Sequence, residues 1–376
     1  MTIKVWDYIE EYEDEKQEFL GAIDKVMCSG RLILGDSVKN FETAFALYCG
    51  VKHGIGVDNA TNGLFLALKA LGIGQGDEVI TVSNTAVPTV SAIVTSGATP
   101  VFVDINPMTY LMDTSKLESA ITDKTKCILP VHLYGQYADM NTIRRMANKY
   151  DLKVLEDCAQ AHGASQKGRK AGSMSDLAVF SFYPTKPLGG YGDGGMVVTD
   201  SDELNAKLRR LRFYGMETNY YAEEHGYNSR LDELHAEILF RKLAHLDRYI
   251  AARKALAERY YRILSRTSLT LPVVQEDNFH VFYIFVARHP ERDRIISELK
   301  ERDILVNISY PWPIHTMRGY SFLGYRVGDL PETEKAAREI FSLPMYPKLS
   351  IEDQDKVCEA LGEIIGEADR ISVSPV

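Results

Sequence analysis

Apolar and polar positions recur along this chain with two periods, one near 3.6 residues and one near two, and they predict helices and strands in turn. Residues 7–27 carry an acidic amphipathic pattern, and Asp36–Ala46 carry a second helical one. Within Thr61–Leu71 the residues Leu64, Ala67, Leu68 and Leu71 repeat at helical spacing, and the strand Glu78–Val82 follows. The pattern next predicts the helix Val87–Thr95, the strand Pro100–Val103 and the helix Asp113–Thr122. After these come the strand Lys126–Val131, the helix Asp139–Tyr150 and the strand Lys153–Glu156. Such a β-α-β-α-β succession is the signature of an α/β fold whose mostly parallel sheet is covered on both faces, and ligands settle at the carboxyl ends of its strands.

Leu177–Phe182 and Met196–Thr199 predict two more strands, with a glycine-rich loop between them. From about Leu231 to Leu264 a long helix-forming tract predicts two helices or one bent helix. His280–Ala287, the helix Arg292–Arg302, Ile304–Ile308 and a closing helix Ile351–Ala368 then predict a smaller α+β unit. The expected division is residues 1–245 for an N-terminal segment with a large domain, and 246–376 for a small C-terminal domain. There is no internal repeat and no low-complexity linker.

Composition narrows the field without naming a reaction. A chain of 376 residues, 45% hydrophobic and 25% charged, can bury a sizeable core. Its net charge of -9 and pI near 5.6 give no general attraction to nucleic acid or to an anionic membrane, so a phosphate-bearing ligand must be held by local groups. Small-molecule partners are expected. No window approaches the roughly 20 apolar residues of a membrane span, and the acidic N-terminus lacks an apolar signal core. The cysteines Cys28, Cys49, Cys127, Cys158 and Cys358 are spread out and never form a C-x-x-C pair, which argues against a disulfide framework or a zinc site. A cytoplasmic protein with reduced thiols and no metal is expected.

Candidate chemistry gathers around two residues. Asp157 follows the strand Lys153–Glu156 in Asp157-Cys-Ala-Gln160-Ala-His162-Gly163, so its carboxylate falls at a strand's carboxyl end. Buried there, it needs a cation or strong donors, and a protonated pyridine nitrogen would serve; capping the next helix would also account for it. Lys186 lies between the apolar Ala178–Phe182 run and the glycines 189, 190, 192, 194 and 195. A partly desolvated lysine attacks an aldehyde readily, whereas an exposed lysine before a hairpin does nothing of the kind. For an anion, the P-loop pattern is absent, but Asn59-Ala60-Thr61-Asn62-Gly63 opens a helix whose free N–H groups favour phosphate. An ordinary helix cap explains Thr61 or Asn62 equally well. Ser181 adds a hydroxyl nearby in sequence.

On these residues the chain resembles the DegT/DnrJ/EryC1/StrS family of pyridoxal-phosphate sugar aminotransferases, of the aspartate aminotransferase fold (fold type I), over nearly its whole length. The matching segments include Ala60-Thr-Asn-Gly-Leu64, Gly76-Asp-Glu-Val-Ile80, Pro130-Val-His-Leu-Tyr-Gly135, Glu156-Asp-Cys-Ala-Gln-Ala-His-Gly163, Ser181-Phe-Tyr-Pro-Thr-Lys186, Gly192-Asp-Gly-Gly195 and Asn228-Ser-Arg-Leu-Asp232. The resemblance implies pyridoxal 5'-phosphate as cofactor. It makes Lys186 the lysine that bonds the cofactor and shuttles protons, Asp157 the partner of the pyridinium nitrogen, and Gln160 a donor near the ring's 3' oxygen. Ala60, Thr61 and Ser181 would bind the phosphate. Asn228 falls where the family sends an asparagine from the neighbouring subunit, which implies a homodimer with shared sites. Tyr183, Tyr310 and His315 lie where relatives approach the sugar nucleotide.

One position departs from the family. Where many relatives stack an aromatic ring on the cofactor, this chain has Thr85-Ala86-Val87, so Ala86 offers a methyl and forgoes about 1 kcal/mol of stacking. A branch of the family that dehydrates sugars replaces the lysine with histidine, so Lys186 implies transamination. The implied substrates are L-glutamate and a nucleotide-linked keto-6-deoxyhexose. Tyr183 and the Ser229-Arg-Leu-Asp-Glu-Leu234 tract resemble the branch acting on dTDP-3-oxo-6-deoxyhexoses, with 4-keto sugars as the alternative. A silent regulatory protein that keeps the fold and cofactor is the alternative from another class.

Overall fold

A computed structural model describes residues 2–218 and 220–366. Seven strands form its main sheet: β1 (His53–Val57), β2 (Glu78–Val82), β3 (Thr99–Val103), β4 (Thr125–Ile128), β5 (Lys153–Asp157), β6 (Leu177–Ser181) and β7 (Gly195–Thr199). Their spatial order is β1-β7-β6-β5-β4-β2-β3. Only β7 runs against its neighbours; the pairs β6–β5, β5–β4, β4–β2 and β2–β3 are parallel. The expected α/β fold with a mostly parallel sheet is what the chain adopts. β6 and β7 are buried at every position, as strands covered on both faces must be.

Helices α1 (Ile9–Cys28), α2 (Asp36–Cys49), α3 (Ala60–Ala70), α4 (Val87–Ser96), α5 (Met140–Tyr150) and α6 (Asp202–Leu211) accompany this sheet. Three of their starts are written in capping chemistry, the side chains of Asn59, Asp139 and Ser201 each accepting the N–H three residues on, and Asp232 does the same. Asp232 opens α7 (Glu233–Leu243), and α8 (Leu246–Leu264) follows after two residues, so the long helical tract is two helices. The phenyl rings of Phe41, Phe45, Phe180 and Phe182 meet at 4.9–5.8 Å, joining α2 to β6 in the core.

A second apolar cluster gathers Leu256, Tyr260 and Leu264 of α8 with Phe285, Phe341, Leu343, Val357 and Leu361. Phe285 comes from β8 (Phe285–Arg288), Phe341 and Leu343 from β9 (Ile340–Leu343), and Val357 and Leu361 from α11 (Ile351–Ile365); α9 (Arg292–Glu301) adds Ile295 and Leu299, α10 (Pro331–Glu339) leads into β9, and β8 and β9 pair antiparallel. Ile3 belongs to this cluster, and its backbone bonds Asp303 and Leu305.

Two segments differ from the pattern's prediction. In place of a helix over Asp113–Thr122 there is one short turn, Glu118–Ala120. Asp113 accepts from the Ser115 N–H at 3.1 Å and hydroxyl at 2.6 Å, and Thr125 holds the Thr122 N–H, so local side chains compete for the backbone. Ile304–Ile308 forms isolated bridges, because Ile304 pairs with Ile3 while Asn307 pairs with Ser342. The predicted end of the last helix, through Ala368, lies outside the described residues. All five cysteines are free.

Glu42 ties α2 to the sheet edge. Its carboxylate accepts from the Gly56 N–H at 2.8 Å, from Arg212 at 2.5 Å and from Arg209 at 2.9 Å, and both Glu42 and Arg212 are buried. Removing one partner of such a pair strands the other charge. Glu42→Ala is expected to cost about 3–5 kcal/mol, seen as a lowered thermal midpoint; an unchanged midpoint would contradict this account.

Candidate active site

Strand register brings the candidate residues to one edge. Val57 at the end of β1 pairs with Gly195 at the start of β7, and Gly195 pairs with Ser181 at the end of β6. Asp157 at the end of β5 pairs with Val179 one strand over. α3 begins directly above Gly195, where a Cβ would lie 2.7 Å from the Asn59 carbonyl carbon and 2.8 Å from the Ala60 nitrogen. Only glycine lets the helix start approach the sheet so closely. Asn59 caps that helix at 2.8 Å through the Asn62 N–H.

Asn59, Ala60, Thr61, Ala86, Asp157, Gln160, Ser181, Tyr183 and Lys186 line one cavity of about 240 Å³. Asp157 is 5% exposed. Its Oδ2 accepts the Thr89 hydroxyl at 2.8 Å and its Oδ1 the Ala159 N–H at 3.1 Å. Among the described residues no cation comes within ion-pair distance of it. Burial pushes its carboxyl above the usual range, and the Ala159 N–H, the Thr89 hydroxyl and Lys186 offset only part of that.

Gln160 is held at both ends: Oε1 accepts the Tyr134 N–H at 2.7 Å, and Nε2 donates to the Tyr310 hydroxyl at 2.9 Å. Behind Asp157, the backbone is pinned through Asp157 N–H to Pro130 O at 2.9 Å and His132 N–H to Asp157 O at 3.0 Å. His132 Nδ1 accepts from Ala138 N, so Nε2 carries the proton donated to Glu156 at 2.8 Å. Burial acts to raise the Glu156 pKa, but the donors His132, Tyr137 and Ser175 outweigh it and hold the group low. His162, the other ionisable residue of that motif, packs 5.2 Å from the Phe180 ring. Burial, then Lys186, pushes its pKa down to about 3, so it is a neutral core residue.

Lys186 stands between two cavities. It also lines a space of about 390 Å³ on its other side, with Trp6, Tyr8, Tyr183, Tyr191 and Arg253. Its Nζ lies 4.7 Å from the centre of the Tyr283 ring, and the Tyr283 hydroxyl meets the Thr185 hydroxyl at 2.9 Å.

Three expected residues do not line the cofactor-sized cavity. His315 is 2% exposed; its Nδ1 bonds Ser83 at 2.8 Å and its Nε2 bonds Glu334 at 3.1 Å, so both nitrogens are taken up inside the protein. Asn228 is exposed and bridges Phe213. Tyr310 bonds Gln160, which does line the cavity, accepting its Nε2–H at the hydroxyl. Thr85, Thr89 and Tyr283 escaped the sequence reading. A threonine within the apolar helix face Val87–Val94 was the available signal for Thr89.

Residues 13–362 match the family model described as the DegT/DnrJ/EryC1/StrS aminotransferase family. The chain belongs to that family. This DegT/DnrJ/EryC1/StrS aminotransferase is 57% identical over 371 residues to the dTDP-3-amino-3,4,6-trideoxy-alpha-D-glucose transaminase of Micromonospora megalomicea subsp. nigra, covering 97% of this chain and 99% of that one. It is 46% identical over 366 residues to a pleiotropic regulatory protein of Geobacillus stearothermophilus, covering 96% and 98%. Its structure superposes on that of Streptomyces venezuelae DesV in complex with a ketimine intermediate with TM-score 0.96 and 41% identity, covering 98% of this chain and 100% of that one. Aminotransferases of the family depend on pyridoxal phosphate.

The residues of this family member fit that cofactor. A buried carboxylate with neutral donors alone suits a pyridinium cation, a lysine amine shares its cavity, and a close-packed helix start offers free N–H groups for phosphate. Gly195→Ala drives a methyl into the Asn59–Ala60 backbone, and equilibrium dialysis should show cofactor affinity reduced by about tenfold or more. Undiminished affinity would show that the helix start does not hold the phosphate.

Proposed function

We propose that this protein is a pyridoxal-phosphate aminotransferase that moves the amino group of L-glutamate to the C3 keto carbon of a dTDP-linked 6-deoxyhexose, releasing 2-oxoglutarate and a 3-amino sugar. The observation that carries the reading is the pairing in one cavity of Lys186 with the buried, cation-free carboxylate of Asp157. When bound, pyridoxal phosphate supplies an aldehyde for amine exchange and a protonated ring that draws electrons from the reacting carbon.

The side chains divide the remaining work. Asp157 would hold the ring nitrogen protonated, and Gln160, fixed by Tyr134 and Tyr310, would present a donor to the 3' oxygen. Ala60, Thr61 and Ser181 would hold the phosphate at the α3 start. Ala86 contributes a methyl where an aromatic ring would stack. Lys186 Nζ, open to both cavities, would take the proton from the donor's Cα and return it to the acceptor, so covalent and acid–base roles rest on one amine.

The C3 position is supported by the name of the Micromonospora relative, which carries its amino group there. Tyr183, 53% exposed and lining both cavities, would meet the sugar. Asn228 is exposed and does not line its own cavity, and the same reading would assign it to the phosphate of a second copy in a homodimer. Residues 1–245 would supply the cofactor site, while Tyr283 beside Lys186 and Tyr310 on Gln160 would support it from 246–376.

Lys186→Ala is expected to lower transamination of L-glutamate and a dTDP-3-keto-6-deoxyhexose by at least about 10²–10⁴-fold. Turnover at the normal rate would reject the mechanism. Amination of the 4-keto isomer in preference to the 3-keto sugar would reject the regiochemistry alone.

A further inference from the structure

Asp157 is tied to two threonines that neither the family motif nor the reaction requires by name. Thr89 Oγ1 lies 2.8 Å from Asp157 Oδ2, and Thr85 Oγ1 lies 2.8 Å from Thr89 Oγ1. Both threonines are 1% exposed. An ionised carboxylate can only accept, so the single hydroxyl proton of Thr89 points at Asp157. Thr85 must then be the donor to Thr89. The two hydroxyl dipoles run head to tail and end on the carboxylate, an arrangement in which each bond strengthens the next.

We propose that Thr85 and Thr89 are a hydroxyl relay that keeps Asp157 ionised for the cofactor's ring nitrogen, with Thr89 the positioning residue that sets the carboxylate's orientation. This rests on the function proposed above and adds the means by which a cavity poor in cations maintains a charged aspartate. Packing alone would not select a threonine here, because the other buried hydroxyl of α4, on Ser96, bonds Ile93 O within the helix, while Val90, Ala92 and Ile93 beside Thr89 are apolar and valine has nearly the same shape as threonine. Nor is the hydroxyl spent on its own helix: its acceptor is 68 residues away in sequence.

The loop bearing Thr85 is itself anchored. Ser83 Oγ accepts the His315 N–H at 3.0 Å, and Ser83 O accepts the Ile314 N–H at 3.2 Å. The Ser83 proton then goes to His315 Nδ1, which leaves Nε2–H for Glu334. The buried His315 thereby fixes the strand end from which the relay starts.

Besides the threonines, the groups around Asp157 are Lys186 from the loop after β6, His132 from the segment after β4, the Ala159 N–H, the Cys158 thiol, and Tyr310. Burial raises the Asp157 pKa and the relay opposes that rise. A raised pKa in the folded state means that stability is lost as pH climbs through the carboxylate's titration. Losing the relay raises the pKa further, so the loss deepens with rising pH.

The test compares wild type, Thr89→Ser, Thr89→Val and Thr85→Val, each as full-length protein with and without added pyridoxal phosphate. Thermal midpoints of the cofactor-free proteins are measured across pH 5 to 8. The relay predicts that Thr89→Val falls further below wild type as pH rises, that Thr85→Val shows a smaller trend, and that Thr89→Ser follows wild type. Cofactor affinity should weaken by roughly tenfold to a hundredfold in Thr89→Val, the scale of a hydrogen bond to a charged group, and recover in Thr89→Ser. A deficit that is constant with pH, or a serine variant that behaves like valine, overturns the relay. Failure of wild type to bind pyridoxal phosphate at all would instead sink the proposed function, because the cofactor-free pH profile stands independently of it.

Discussion

A carboxylate buried at the end of the central strand, without a cation beside it, is the constraint around which the site is arranged. Asp157 is held by one hydroxyl and one backbone N–H, and burial outweighs both. Such a group either takes up a proton or meets a positive partner. The cavity in front of it holds a lysine on its far side and a helix start open to an anion. A ligand carrying a ring cation, an aldehyde and a phosphate satisfies all three at once, and pyridoxal phosphate has those groups.

The fold supplies the convergence. Parallel β5 and β6 and the reversed β7 place Asp157, Ser181 and Gly195 on one sheet edge, although they are separated by long stretches of sequence. Gly195 then lets α3 settle against that edge more closely than a Cβ would allow. Lys186 follows β6 by a short loop and opens to a second space lined by the N-terminal residues Trp6 and Tyr8. One amine therefore communicates with a cofactor-sized cavity and with a larger aromatic one, which is the geometry that proton traffic between two substrates needs.

Local patterns revealed most of the sheet and helices, because strands such as Glu78–Val82 and capped helices such as Met140–Tyr150 announce themselves within a short window. Asp113–Thr122 misled because its helical spacing is overridden by Asp113 and Thr125, whose side chains capture the local N–H groups. Lys186, Asp157 and Gln160 were legible through ordered motifs. Thr89 and Tyr283 were not, since each acts through a partner far along the chain, and only the fold makes those pairs. His315 stood out as a substrate ligand by position, yet its ring is consumed by Ser83 and Glu334. It supports the loop after β2 without facing the cavity.

The account depends most directly on Lys186 being the amine that meets the cofactor. Borohydride reduction of the pyridoxal-phosphate-loaded protein, followed by proteolysis and mass spectrometry, reads that bond. The expected result is a single phosphopyridoxyl adduct on Lys186, absent after prior treatment with excess L-glutamate. An adduct on another lysine, or none on Lys186, would contradict the account.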